Sequence, residues 1–220
     1  MRLLRQAVVV LVFCAWFAGR VAAQEKLTTP LIPRQVLFGN PERADPQISP
    51  DGTQIGYLAP VDGVLNVWIR TLGKTDDRAV TSDKHRGIRN FLWQYDNKHI
   101  LYVQDVGGDE NWRLYQTDIA SKQTKDLTPF EKVRVDIVAY EWSSPDTILV
   151  QMNQRDAKLF DVHRIDLNTG KVELDTENPG DVQSWLADNA LRIRAAQAQS
   201  IKSSSGGKSS NWVHWISIVR

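Results

Sequence analysis

The stretch Ile48-Ser49-Pro50-Asp51-Gly52-Thr53-Gln54-Ile55-Gly56-Tyr57-Leu58 decides the fold, because it joins a tight-turn signal directly to a strand signal. Aspartate hydrogen-bonds its own backbone and glycine tolerates positive φ, so Asp51-Gly52 favours a tight turn. The β-branched and aromatic residues that follow are typical of a strand. This turn-and-strand unit is informative because it recurs along the chain.

The turn-and-strand unit occurs four times. Its turn aspartates are Asp51, Asp96, Asp146 and Asp188. Successive turn aspartates are 45, 50 and 42 residues apart. After each of the first three, a second strand is expected at a fixed offset of fifteen residues, beginning at Asn66, Asn111 and Asp161. A repeat of this length with several short strands per unit is the signature of a propeller blade.

The repeat therefore predicts an all-β fold, an incomplete β-propeller of about three and a half blades, each blade a four-stranded antiparallel sheet. No stretch after the N-terminal segment shows sustained helical periodicity. A β-sandwich with coincidental spacing is the alternative, and two landmarks that keep one offset through three units argue against it. The propeller is expected to span residues 45–198, after an irregular lead-in over residues 24–44.

Three tryptophans stand shortly before turn aspartates, at Trp93, Trp142 and Trp185. Such residues can either stack against a ligand or pack between blades. The repeat itself explains their spacing, so we expect all three to pack between blades.

Residues 1–23 have the pattern of a secretory signal peptide. Arg2 and Arg5 precede an apolar core over residues 7–18, and small residues end the segment at Ala23. The sequence therefore predicts a secreted or periplasmic protein that leaves the membrane after cleavage. The single cysteine, Cys14, lies inside this segment, so the mature chain is expected to lack disulfides and thiolate metal sites.

Charge composition bears on the class of partner. The chain has 27 basic and 26 acidic residues, which gives no electrostatic reason to expect nucleic acid. We predict no metal site and no cofactor.

Several short motifs of the repeat resemble sequences of one enzyme family. They are Ser49-Pro50-Asp51-Gly52, the hairpin from Tyr102 to Tyr115 that contains Gly107-Gly108-Asp109-Glu110, Asp126-Leu127-Thr128-Pro129-Phe130, and Asp166-Leu167-Asn168-Thr169-Gly170-Lys171. Their order and spacing over residues 33–198 are similar to the N-terminal propeller of the prolyl oligopeptidase (S9) family of serine peptidases, in its dipeptidyl aminopeptidase and acylaminoacyl peptidase branch.

The resemblance implies a two-domain enzyme in which an N-terminal propeller covers a C-terminal α/β-hydrolase domain. The catalytic serine of such a domain lies in a Gly-x-Ser-x-Gly motif, and the propeller restricts access to peptides. This sequence contains no such motif, so no catalytic residue is assigned. The chain is expected to be inactive alone, and peptides are its expected partners through the hydrolase domain. The alternative is a self-sufficient exported propeller, similar to TolB, that binds a protein or peptide.

Asp109 and Glu110 are the candidate substrate-binding residues. Together with Asp105 they place three carboxylates within six residues, which could bind a cation or the amino terminus of a peptide. The family resemblance implies the second role for acidic residues that face its central cavity. A solvated hairpin loop with Gly107-Gly108 at its tip is the alternative, because charge runs usually mark a solvated face.

Residues 199–220 depart from the repeat. A linker-like run over residues 199–211 precedes an apolar tail over residues 212–220 that is out of register with the blades. This pattern suggests a truncated or frame-shifted gene product with a non-native tail. Because an unclosed propeller leaves unpaired strand edges, residues 24–220 alone are expected to be poorly soluble or unstable.

Overall fold

The computed structural model describes residues 31–203 and 209–217, with side chains described over residues 31–198. The signal peptide predicted for residues 1–23 lies outside the described residues. The chain divides into two units, Met1–Gly39 and Asn40–Arg220. In the first unit, α1 (Arg34–Phe38) is a single short helix within the segment predicted as irregular. No helix of the described residues is long and apolar enough to cross a membrane.

The second unit consists of four antiparallel sheets that follow one another along the chain. Blade 1 contains β1 (Ala44–Ile48), β2 (Gln54–Val61), β3 (Val64–Thr71) and β4 (Arg78–Ala79). Blade 2 contains β5 (Phe91–Trp93), β6 (His99–Gln104), β7 (Arg113–Asp118) and β8 (Thr124–Asp126). Blade 3 contains β9 (Val135–Tyr140), β10 (Thr147–Asp156), β11 (Leu159–Asp166) and β12 (Val172–Thr176). Blade 4 contains β13 (Val182–Ala187), β14 (Ile193–Ser203) and β15 (Ser209–Ser217).

Each blade is a meander in which every strand pairs with its sequence neighbour. This order puts the turns after the first and third strands at one end of the blade, here named the turn end. The hairpins between second and third strands lie at the opposite end, the hairpin end, with the connections to the next blade. The predicted fold class, an incomplete propeller of four-stranded antiparallel blades, is confirmed.

The core consists of three apolar layers, one between each pair of successive blades. The residues of the layer between blades 1 and 2 are Leu58, Val67, Ile69, Val80, Ile88, Phe91, Trp93, Ile100, Tyr102 and Ile119. Alternation along the strands supplies two layers at once: in β6, Ile100 and Tyr102 face blade 1, whereas Leu101 belongs to the layer with blade 3. The middle strands of blades 2 and 3 are therefore buried on both faces.

First strands of three blades converge at the inner side of the unit. An open groove of about 420 Å³ is lined by Gln47 of β1, Leu92 of β5 and Ile137 of β9, among other residues. Large apolar side chains on first strands remain exposed here, with Ile48 64% and Leu92 37% accessible. This is the arrangement expected of strands that border the axis of a propeller.

The outer face of blade 1, opposite blade 2, carries a polar cluster. The Tyr57 hydroxyl donates to Asp77 Oδ1 at 2.5 Å, and the Arg43 guanidinium lies 5.1 Å from the centre of the Tyr57 ring. Arg70 Nε lies 3.8 Å from Asp77 Oδ2. Because side chains alternate between faces, Tyr57 points away from the layer that contains its neighbour Leu58.

Of the three positions at the fifteen-residue offset, Asn66 and Asp161 lie within β3 and β11, two residues after each strand begins, whereas Asn111 precedes β7. Blade 1 pairs Leu58 with Val67, and blade 2 pairs Val103 with Leu114. The blade 2 hairpin is therefore two residues longer, so β7 begins at Arg113 rather than at Asn111. A longer loop is tolerated there because it projects from the end of the sheet.

The packing prediction is confirmed for Trp93 and Trp185 and is wrong for Trp142. Trp93 and Trp185 are 6% and 7% exposed, whereas Trp142 is 75% exposed. Tyr140 occupies in blade 3 the strand position that Trp93 has in blade 2, since they pair with Ile148 and Ile100 respectively. Trp142 comes two residues after this position, beyond the end of β9, and is therefore exposed in the turn.

The C-terminal residues also differ from the expectation. β14 extends to Ser203, and β15 pairs with it from Ala195 opposite Ser217 to Ser203 opposite Ser209. The described part of residues 199–220 thus continues the meander of blade 4 rather than leaving it as a linker.

Gly56 allows the close approach of blades 1 and 2. A Cβ atom at this position would lie 2.9 Å from Phe91 Cε2 and 3.1 Å from Trp93 Cζ2. We therefore expect Gly56→Ala to lower the free energy of unfolding by about 1–3 kcal/mol through overpacking. Urea unfolding measures the effect.

Phe91→Leu provides the matched control, because it removes the atoms nearest the new methyl group. In the Gly56→Ala background this second change should cost less than it does in the wild-type chain. Additive costs for the two substitutions would contradict the steric explanation.

Candidate functional site

At the turn end, Asp51 shapes its turn through its carboxylate. Oδ1 accepts hydrogen bonds from the Ser49 hydroxyl at 2.6 Å, and from the backbone N and the hydroxyl of Thr53 at 3.0 and 2.9 Å. The Ser49 hydroxyl is the main cause of a lowered Asp51 pKa. The Asp51 backbone N in turn donates to Asn97 Oδ1 at 2.9 Å and so joins the turns of blades 1 and 2.

Asp96 has the same role in blade 2 and also binds a histidine. Asp96 Oδ1 accepts from the backbone N of Lys98 at 2.8 Å and of His99 at 3.1 Å. The His99 ring lies between two carboxylates, with Nδ1 2.6 Å from Asp96 Oδ2 and Nε2 3.6 Å from Asp118 Oδ2. Both ring nitrogens face acids, which is a structural arrangement and not that of a base poised beside a nucleophile.

Asp188 follows this pattern in blade 4, and Asp146 in blade 3 does not. Asp188 Oδ1 accepts from the backbone N of Ala190 and of Arg192, and Oδ2 from Arg194 Nε at 2.7 Å. These donors, the Arg192 backbone first, hold the pKa of Asp188 well below its ordinary range. Asp146 contributes through its carbonyl oxygen, which accepts from the backbone N of Leu167 at 2.8 Å.

The Tyr140 hydroxyl stabilises the blade 3 turn in place of an aspartate. It donates to the carbonyl oxygen of Pro145 and accepts from the backbone N of Tyr95, both at 2.9 Å. Burial raises the pKa of Tyr140 far above its ordinary value. The hydroxyl therefore stays protonated and links the turns of blades 2 and 3.

At the hairpin end, the blade 2 loop contains the three carboxylates that the sequence singled out. Asp105 is buried at 4% exposure, and its Oδ1 lies 3.3 Å from Arg86 Nε. Its Oδ2 accepts from the backbone N of Glu110 at 3.4 Å. Asp105 thus ties the loop to the connection that enters blade 2, and it is not available to a ligand.

Asp109 and Glu110 lie at the exposed side of the same loop. Asp109 accepts hydrogen bonds from the backbone N of Val106 and from the backbone and side chain of Asn111. The Asn111 side chain is the first cause of a lowered Asp109 pKa. Glu110 has a φ of 59°, a left-handed conformation that is uncommon outside glycine. The loop therefore holds Asp109 ionised and fixes the direction of Glu110 through the backbone.

The three carboxylates do not converge on one point that would hold a metal. Across the residues that the structure describes, no group of three or more histidine, cysteine, aspartate or glutamate side chains could hold a metal ion. Asp109 and Glu110 remain the exposed pair.

His163 is buried beside an ion pair at the hairpin end of blade 3. Arg155 binds both oxygens of Asp161 at 2.9 Å, and Asp161 is 1% exposed. His163 Nδ1 lies 3.2 Å from the carbonyl oxygen of Asp161, and the residue is 7% exposed. Burial lowers the His163 pKa, so the ring is neutral in the folded chain.

A second feature of the hairpin end is an open groove of about 450 Å³ between the first strands of blades 2 and 3. Its lining residues are Arg89, Asn90, Phe91, Leu92, Leu101, Tyr102, Val103, Trp112, Arg134, Asp136 and Ile137. Trp112 ends the loop that carries Asp109 and Glu110. The groove thus reaches the end of the acidic loop at Trp112, and sequence reasoning found the loop but not the groove.

The sheet topology and the groove at the inner side together define the chain as a segment of a β-propeller. No protein-family model matches the sequence. The chain is 45% identical over 181 residues to dipeptidyl aminopeptidase BIII of Pseudoxanthomonas mexicana, an alignment that covers 82% of this chain and 26% of that protein. It is 30% identical over 207 residues to dipeptidyl peptidase family member 6 of Caenorhabditis elegans, covering 86% and 28%.

Solved structures agree on the fold. The acylaminoacyl peptidase of Pyrococcus horikoshii aligns over 80% of this chain and 31% of its own, with a TM-score of 0.51 and 16% identity. A puromycin-hydrolyzing peptidase of Mycobacterium tuberculosis aligns over 81% and 27%, with a TM-score of 0.52 and 12% identity. The predicted resemblance to S9 peptidase propellers is confirmed. The chain spans about a quarter of the length of the curated relatives that it matches.

The two loop aspartates should differ in their effect on stability. Asp105→Ala removes a buried acceptor that holds Arg86 and the Glu110 backbone, so we expect it to lower the free energy of unfolding by about 1–3 kcal/mol. Asp109→Ala removes an exposed group and should have a clearly smaller effect. Urea unfolding of both variants tests this order, and the reverse order would contradict the assigned roles.

His163 should make stability depend on pH. Its pKa is lowered in the folded chain, so the unfolded chain binds more protons below about pH 6.5 and stability falls as the pH decreases. We expect His163→Leu to reduce the loss of unfolding free energy between pH 7.5 and pH 5.5, by up to about 1 kcal/mol. Urea unfolding at the two pH values measures this.

His85→Gln, at an exposed loop position, is the matched control and should leave the pH dependence as it is in the wild-type chain. An equal change in both variants would show that burial of His163 is not the cause.

Proposed function

We propose that this chain is the propeller part of a secreted or periplasmic serine peptidase, where it restricts the peptides that reach a catalytic α/β-hydrolase domain. The observation that carries the proposal is the 45% identity to dipeptidyl aminopeptidase BIII over 82% of the chain. The signal-peptide pattern of residues 1–23 supports export.

Features of the described residues support a role in access rather than in bond cleavage. His99 is held between two carboxylates and His163 is buried beside an ion pair, so both histidines are committed to structure. The first strands line an inner surface with exposed apolar side chains, among them Ile48 and Leu92. An extended peptide can contact such a surface, whereas a folded protein is too wide to enter between blades.

Asp109 and Glu110 have a specific place in this proposal. Both residues are exposed in the hairpin-end loop of blade 2, and the loop hydrogen bonds keep Asp109 ionised. A peptide amino terminus is a cation with three donors, which suits two neighbouring carboxylates. We infer that this pair orients the amino terminus of an entering peptide.

A segment exchange tests the proposed function. The matching segment of dipeptidyl aminopeptidase BIII would be replaced by that of the present chain, and hydrolysis of a dipeptide p-nitroanilide and of casein would be measured. We expect the chimera to cleave the dipeptide substrate and to spare casein. The same enzyme with the segment deleted is the control and should degrade casein or fail to cleave either substrate. The present chain alone should cleave neither.

Two results would contradict the proposal. A chimera that is folded by circular dichroism but inactive would show that the segment is not equivalent to that propeller. Hydrolysis by the present chain alone, blocked by a serine-directed inhibitor, would show that it carries its own catalytic site. If residues 24–220 form a soluble monomer with a cooperative thermal transition, a self-sufficient binding module is favoured instead.

A further inference from the structure

The groove between blades 2 and 3 combines an apolar floor with charge at its rim. Leu92, Val103 and Ile137 contribute partly exposed apolar surface, and Trp112 contributes an indole that is only partly buried. A concave apolar surface with few polar groups is the usual form of a small-ligand site. A volume of about 450 Å³ is enough for one aromatic or aliphatic side chain with its neighbouring peptide groups.

Three charged residues line the same groove, and they differ in whether a neighbouring side chain pairs with them. Arg134 Nε lies 3.4 Å from Asp136 Oδ2, so these two residues largely neutralise one another. Among the residues that the structure describes, Arg89 has neither an ion pair nor a side-chain hydrogen bond, and it is exposed. The groove therefore offers one guanidinium whose donors are available to a ligand.

Backbone register shows how this charge arrangement arises. Ile88 N donates to the carbonyl oxygen of Leu65, and Val135 N donates to that of Trp112, so Ile88 and Val135 are equivalent positions of the repeat. The next residue is Arg89 in blade 2 and Asp136 in blade 3. Equivalent positions of neighbouring blades thus carry opposite charges. Asp136, the acidic residue on the blade 3 side, already forms an ion pair with Arg134. Net positive charge remains on the blade 2 side.

We propose that this groove binds a peptide carboxylate that lies next to an apolar side chain, with the Arg89 guanidinium on the carboxylate and the side chain against Leu92 and Trp112. Guanidinium donors match the planar geometry of a carboxylate. The peptide class of the ligand rests on the proposed function. The recognition of a carboxylate rests on the groove alone.

Charge and shape distinguish this ligand from a polyanion. One available cation beside an acid gives little attraction for a phosphate backbone, which is bound by clusters of lysine and arginine. The apolar floor adds affinity only for a ligand that brings an apolar group with its charge. A carboxylate in a peptide comes from its C-terminus or from an acidic side chain, and the test separates these sources.

The test measures binding by the chain alone, attached to a soluble carrier protein, by isothermal titration with three peptides. Acetyl-Ala-Phe presents a C-terminal carboxylate, acetyl-Asp-Phe-amide presents a side-chain carboxylate, and acetyl-Asn-Phe-amide is neutral. We expect at least one anionic peptide to bind about fivefold or more tightly than the neutral one. The tighter anionic peptide identifies the source of the carboxylate.

Three variants connect that binding to the groove. Arg89→Gln should remove the preference for the anionic peptide, whereas Asp136→Asn should strengthen it about two- to fivefold by removing the competing acid and releasing Arg134. Lys74→Gln makes the same charge change as Arg89→Gln at an exposed turn of blade 1 and should leave binding unchanged.

Equal binding of all three peptides, no binding of any, or an equal loss in the Arg89 and Lys74 variants would overturn the inference. Because no hydrolysis is measured, these outcomes are separate from those of the segment exchange. A working chimera without carboxylate preference would leave the proposed function standing and remove only the groove assignment.

Discussion

Burial of both faces of the middle strands is the constraint that governs the rest of this structure. A sheet whose two faces are apolar must have a sheet on each side, and alternation along β6 sends Ile100 and Tyr102 toward blade 1 and Leu101 toward blade 3. The blades can stack only at a fixed spacing. Gly56 shows how narrow that spacing is, because a single methyl group would meet the rings of Phe91 and Trp93.

The same constraint explains why variation is confined to the ends of the blades. Loop length differs between hairpins without changing which residues face the layers, since extra residues project into solvent. At the turn end the variation is small, because hydrogen bonds join the turns of successive blades: Asn97 and Tyr140 accept from the backbone of the preceding blade, and Ser143 donates to the backbone of the following one. The hairpin end carries both the acidic loop and the groove.

Turn chemistry and strand patterns were sufficient to predict the blades, because Asp51, Asp96 and Asp188 act through their own local backbone. The exposure of Trp142 was missed because Tyr140, and not the tryptophan, occupies the strand position equivalent to Trp93. The start of β7 was missed because two added loop residues are not distinguished from strand by sequence spacing. Asp109 and Glu110 were found as a charge run. Arg89 and Asp136 were not, because they are far apart in the sequence and become neighbours only when blades 2 and 3 pack.

The outer face of blade 1 differs chemically from the layers between blades. The layers between the described blades are apolar, so salt has little influence on them. Arg43, Tyr57, Arg70 and Asp77 give the outer face of blade 1 a different chemistry, in which two guanidinium groups and a carboxylate surround one phenol ring. A sheet or partner that joins here meets a charged surface. An interface formed on this face would weaken as ionic strength rises, whereas the apolar layers would change little.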